Sequence, residues 1–189
     1  MLSKLAIAVL FACPAISLPA AVMSLDFESF ADNTAISTEF AGITFSNAVV
    51  VTAGLSLNEL IFPPRSGFNV ALDSLGPIEI SFSAPALSLA GYFTYTTGMT
   101  LTAFDVLNQV VGVTNSAFSN NTANSLNPSN ELLQLSFAGG ISRVTLAGGT
   151  NGGSFAVDDL AITTPDSTAV PEPGTILLVA AGLALLRRR

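Results

Sequence analysis

Between residues 25 and 163 the apolar positions recur at intervals that a helix would not use. Ile78, Ile80 and Phe82 fall on one side of an extended chain while Glu79 and Ser81 fall on the other, the period-two pattern of a strand with one buried face. Similar short runs, rich in β-branched and aromatic residues and bounded by Gly, Pro, Asn and Ser, cover 25–30, 43–45, 49–52, 68–72, 78–82, 87–96, 99–105, 110–114, 132–137, 141–147 and 155–163. No helical period competes with them. Thr97-Gly98, between two strong runs, predicts a tight hairpin turn. Short strands at this density predict an all-β chain: one β-sandwich domain, jelly-roll-like.

Two stretches break the pattern, and both lie at the ends. Lys4 followed by an apolar run from Leu5 to Phe11 and then small residues at Ala20 and Ala21 reads as a secretory signal peptide over residues 1–22, with cleavage after Ala21 or Ser24. At the other end Val170, Pro171, Glu172 and Pro173 precede an unbroken apolar run and the terminal Arg187, Arg188 and Arg189. Two prolines one residue apart fix φ twice and remove two amide donors, so this segment stays extended. Residues 174–186 would form a helix of about 20 Å against a hydrocarbon core of roughly 30 Å, a short transmembrane segment that snorkelling arginines lengthen. Ile176, Leu177, Leu178, Val179, Leu183, Leu185 and Leu186 surround that helix without a polar stripe, which separates it from an ordinary core helix. The arginines place the C-terminus on the cytoplasmic side and the body outside. The organisation expected is signal peptide 1–22, β-sandwich 23–163, linker 164–169 and sorting signal 170–189.

The tail resembles the PEP-CTERM sorting domain of Gram-negative bacteria: Pro171, Glu172 and Pro173 match its signature and Arg187 to Arg189 its basic end. That resemblance implies recognition by an exosortase, a membrane-embedded transpeptidase-like enzyme. With the signal peptide, it implies export through the Sec translocon, removal of the leader by signal peptidase and transient anchoring in the inner membrane by the C-terminal helix. The destination expected is the cell envelope, outer surface or extracellular matrix.

Charge and composition narrow what the body does. Arg65 and Arg143 are its only basic residues, facing a dozen acids, which excludes nucleic acid and anionic membrane surfaces as partners. The chain has no histidine, and its one cysteine, Cys13, lies in the signal peptide, so Ser-His-Asp, Cys-His and zinc-hydrolase chemistry is excluded and no disulfide framework is available. Asp73, Glu79, Asp105 and Glu131 could formally supply a glycosidase carboxylate pair, but nothing in their spacing favours it. The body is read as non-catalytic.

The body also resembles, on 25–28, 40–46 and 155–160, the galactose-binding-like or carbohydrate-binding-module jelly roll. In that fold the first and last strands lie side by side and can share a structural calcium ion. Asp26, Glu28, Asp158 and Asp159 are the hard oxygen ligands such an ion would use. As strand residues, Asp26 and Glu28 share a face and Asp158 and Asp159 do not. The alternative is that these acids accept hydrogen bonds from nearby turns. In Tyr92-Phe93-Thr94-Tyr95, Tyr92 and Thr94 share one face and Phe93 and Tyr95 the other, so the aromatics serve either a sugar platform or the core. Residues 115–130, polar and aperiodic, read as a long loop. The function expected is an exosortase-sorted surface or exopolysaccharide-matrix protein; the alternative is a calcium-dependent, lectin-like binder of envelope carbohydrate.

Overall fold

The structure is a computed structural model that describes residues 20–74, 76–149 and 154–165. Those residues form an all-β sandwich of ten strands: β1 (Ala20–Leu25), β2 (Thr34–Ile36), β3 (Ile43–Ser46), β4 (Ala48–Thr52), β5 (Asn69–Asp73), β6 (Ile78–Tyr95), β7 (Met99–Phe104), β8 (Val110–Asn115), β9 (Glu131–Gly148) and β10 (Phe155–Pro165). The strand ladders are antiparallel.

Two 18-residue strands, β6 and β9, belong to both layers. Their register shifts between Ser81 and Ala86 and again before Ser88, and there both strands turn a corner together. The second half of β6 and the first half of β9 lie in one layer with β10, β5, β4 and β2, and β1 runs beside the second half of β10. The first half of β6 lies in the other layer with β3, the second half of β9, β7 and β8. Gly140 makes the corner possible: its φ is +95°, and a Cβ there would stand 2.7 Å from Cβ of Pro85 on the facing strand. Sequence periodicity splits each long strand into two because alternation lapses at this corner.

The core between the layers is aliphatic and phenylalanine-rich, with Ile78, Ile80, Leu89, Phe93, Leu101, Ile141, Leu146 and Leu160 all fully buried. Each such side chain contributes about 1.5–3 kcal/mol relative to exposure. At one end Phe27, Phe30, Phe40 and Phe45 pack mainly edge to face, with ring centroids 5.5 to 6.5 Å apart.

Three local expectations are corrected. The first strand ends at Leu25 instead of running to residue 30, because Phe27 adopts φ 63° and Phe30 N donates to Phe27 O. Thr97-Gly98 does not close a hairpin: β9 lies between β6 and β7, so the connection carries the chain from one layer to the other. The 115–130 segment, although irregular, inserts Asn121 and Thr122 into the interior.

Candidate functional site

β4, β5 and β10 are apolar on both faces, and both faces are used. Val50, Ala71 and Val157 point into the main core, while their neighbours Val51, Val70 and Ala156 point outward into a second small cluster with Leu57. That cluster is roofed by the 53–68 connection, which folds back after Thr52 through Leu55 N and Leu57 N donating to Thr52 O and Phe62 N donating to Asn58 O. Asp32 anchors the start of the roof by accepting from Thr52 N at 2.8 Å and Ser56 Oγ at 2.7 Å. These donors hold the Asp32 carboxyl below the usual carboxylate range.

Three of the four acids proposed for calcium close the far end of this roof. Asp158 is 1% exposed; its Oδ2 accepts from Arg65 N at 2.8 Å and Ser66 N at 3.0 Å, and its Oδ1 from Asp159 N at 2.7 Å. Asp159 Oδ1 accepts from Ser66 Oγ at 2.8 Å. Glu28 Oε1 accepts from Phe68 N at 3.0 Å and Asn69 N at 2.8 Å. The Glu28 carboxylate lies so close over Gly67, whose φ is +51°, that a Cβ there would fall 2.3 Å from its carboxyl carbon. Asn69, buried beneath, donates to Phe27 O and Phe30 O and accepts from Thr52 Oγ1 at 2.6 Å. Burial pushes the Asp158 carboxyl up to about 6, outweighing the N–H donors that oppose it.

Strand parity does not set the directions of these acids. Asp26 and Glu28 lie in the turn after β1, where Asp26 Oδ1 accepts from Glu28 N at 3.2 Å. Asp158 and Asp159 both reach Ser66 because β10 bulges between Asp158 and Ala161, with Asp159 at φ 48°. Among the described residues no group of three or more acids, histidines or cysteines is arranged to hold a metal ion. The oxygens of Glu28, Asp158 and Asp159 face N–H and O–H donors, which a cation would have to displace. The residues present do not fit the calcium site that the jelly-roll resemblance implies, although β1 and β10 do pair, from Ala20 opposite Pro165 to Leu25 opposite Leu160.

Both arginines of the body cover an outward ring. The Arg65 guanidinium lies 4.7 Å from the Tyr92 ring centroid, and that of Arg143 lies 3.9 Å from Phe104. Arg143 is further held by Glu79 at 3.0 Å, Thr145 Oγ1 at 3.1 Å and Asn108 Oδ1 at 2.5 Å. Phe93 and Tyr95 are core residues. Burial and a hydrogen bond to Glu131 push the Tyr95 phenol up to about 12. The other carboxylates weighed for glycoside chemistry also bind scaffold: Asp73 accepts from Ser154 N, Asp105 from Leu107 N and Gln109 N, and Glu131 from Ala117 N.

Sequence reasoning missed the residues that order the 115–130 loop. Asn121 closes the end of β6 like a strand neighbour, its Oδ1 accepting from Tyr95 N at 2.7 Å and its Nδ2 donating to Phe93 O at 2.9 Å. Asn130 Nδ2 donates to Pro63 O and Ala123 N to Ile61 O, tying this loop to the roof. One asparagine among many in a polar run carries no signal of which one is buried.

The sorting residues Val170, Pro171, Glu172, Pro173, Arg187, Arg188 and Arg189, together with the 174–186 segment, lie outside the described residues. Among the described residues no helix is long and apolar enough to cross a membrane.

Comparison with known proteins gives one match to a family model and several solved structures of low identity. Among curated proteins none matches. The K2 cleaved adhesin domain of Lys-gingipain is 11% identical with a TM-score of 0.47, covering 75% of this chain and 99% of that one. The K1 adhesin domain of Lys-gingipain from Porphyromonas gingivalis W83 is 10% identical with a TM-score of 0.46, covering 76% and 98%. A family 29 carbohydrate binding module is 13% identical with a TM-score of 0.41, covering 84% and 98%. The family model for the PEP-CTERM protein-sorting motif matches residues 169–189. The chain therefore carries a PEP-CTERM motif and is an exported surface protein sorted by an exosortase.

Proposed function

We propose that this chain is a non-catalytic structural component of the bacterial envelope or exopolysaccharide matrix. It leaves the cytoplasm through the Sec translocon and loses its leader to signal peptidase. It is then held in the inner membrane by its C-terminal segment until an exosortase cuts in or beside Pro171-Glu172-Pro173. One observation carries this reading: the sorting motif begins at residue 169, with only three residues between it and the end of β10 at Pro165. The signal is thus attached almost directly to a finished sandwich, with no further domain between. The non-catalytic part is supported by the acids, since Asp73, Glu79, Asp105, Glu131, Asp158 and Asp159 each bind backbone or side-chain donors of the scaffold.

The calcium-dependent lectin-like alternative gains no specific observation. Its acids face protein donors, and the outward rings Tyr92 and Phe104 lie under arginines. Cell fractionation in strains with and without the exosortase tests the proposal. The mature domain should reach the surface or medium only when the enzyme is present, and full-length chain should accumulate in the inner membrane when it is absent. Equal surface delivery in both strains would overturn it.

A further inference from the structure

We propose that strand β1 has two uses in succession: unpaired, it is the segment that signal peptidase cuts, and once paired with β10 it is closed to that enzyme, so the leader has to be removed before β10 folds. The inference rests on the reading of residues 1–22 as a leader and adds to it an order of events.

The sequence offers two bonds for leader removal, Ala21-Val22 and Ser24-Leu25. Both lie inside β1, which spans Ala20–Leu25. The register sets Ala20 to Leu25 opposite Pro165 to Leu160, pair by pair and without a shift. Peptidases cut chain that stands clear of a domain and can enter a cleft. A strand bonded along one edge to a sandwich has to be peeled away first. Exposure of its side chains does not lift this requirement: Val22 is 68% exposed, yet its backbone is paired with Thr163.

Peeling can start from one end only, because the other end of β1 is rooted. Leu25 and Phe27 are buried at 3% and 1% exposure. The turn that follows is closed by Phe30 N donating to Phe27 O and Glu28 N donating to Asp26 Oδ1. Glu28 Oε1 in turn accepts from Phe68 N and Asn69 N, which ties this turn to the roof. Freeing the Ala21-Val22 bond with two residues on either side therefore breaks the four pairs from Ala20 to Met23. Freeing Ser24-Leu25 also draws Leu25 out of the core.

Chain order makes this pairing a timer. A chain exported from its N-terminus delivers β1 first and β10 last, so the cleavage bonds stay open until the rest of the domain has crossed. The contact that completes the sandwich then shuts them. The sorting motif begins at residue 169, just beyond β10, so leader removal is placed ahead of tail removal.

Full-length precursor in detergent micelles, mixed with purified signal peptidase and followed by mass spectrometry, tests the order. Chain diluted from urea straight into the enzyme should lose its leader. Chain first refolded to a β-sheet circular dichroism spectrum should be cut at least about tenfold more slowly, because cleavage then waits on local opening. A cross-link supplies a second readout: Val22→Cys with Thr163→Cys, made together with Cys13→Ala, joins two residues that face each other across the ladder. The refolded, oxidised form should stay uncut, and reduction should return it to the rate of the refolded unmodified chain. Equal rates for refolded and urea-diluted chain, or for the oxidised and reduced forms, would overturn the proposal and leave the leader reading standing. No cleavage even of the urea-diluted chain would remove the leader, and the proposal with it.

Discussion

The two outer faces of the sandwich solve the same problem in opposite ways. The face formed by β4, β5 and β10 is apolar, so it needs the 53–68 roof, and the roof needs acceptors for its exposed amides. Asp158 and Glu28 supply them, at the expense of a carboxyl buried where its charged form is disfavoured. The face formed by β3, β6, β9 and β7 sets Thr44, Ser46, Ser81, Thr100, Thr102 and Thr145 outward between buried apolar neighbours, and there the one arginine is tied down by Glu79 and laid over Phe104. A polar face can stay open to water. An apolar one has to be covered, and the cover is held by a few groups whose loss is expensive.

If that contrast is right, the largest effect should come from the roof's buried acceptor. Asp158→Ala leaves the amides of Arg65, Ser66 and Asp159 without an acceptor and should reduce unfolding free energy by about 3 kcal/mol, read from the midpoint of a urea transition. Gly67→Ala forces the Glu28 carboxylate away and strains a left-handed backbone, at a cost of about 2 kcal/mol in the same assay.

The two faces should also differ in how their stability depends on pH. The Asp158 carboxyl titrates near 6 in the folded chain and near its ordinary 3.8 when unfolded. The folded state therefore binds this proton more tightly, and the stability linked to it is complete below about pH 4 and lost as pH rises through about 6. Asp158→Asn should flatten stability against pH over that window, whereas Arg143→Ala should leave its shape alone. On the open face, Arg143→Ala removes a half-exposed ion pair and a ring contact and should lower stability by about 1 kcal/mol or less. The smallest effect expected is that of calcium: millimolar Ca²⁺ and excess chelator should give melting temperatures within about 1 °C of each other. A clear rise with calcium would mean that the ion displaces the amide donors from Asp158 and Glu28.

The sandwich was legible in the sequence because strand periodicity is local and the β-branched runs around Val50, Ile80 and Val144 admit no helix. Pairing was not, since β9 enters between β6 and β7 through contacts distant in sequence, and the Thr97-Gly98 dipeptide looks the same whether it closes a hairpin or crosses between layers. Asp26, Glu28, Asp158 and Asp159 were read as one group of calcium ligands; Glu28, Asp158 and Asp159 meet at the end of the roof and Asp26 stays in its own turn, and the partners of all of them were hidden. Most partners at the roof are main-chain amides of 65–69, which any residue would supply, and the bulge at Asp159 follows from tertiary fit. The sorting signal was the most legible feature, because its proline spacing, apolar length and basic end are read directly from composition.

Export of this polypeptide and cleavage at its C-terminal motif can be read from the intact mass of the protein recovered from its producing cell. The expected mature species starts near Val22 and ends at or before the Pro171-Glu172-Pro173 motif. Full-length molecules with both termini intact, recovered from the cytosol, would contradict it.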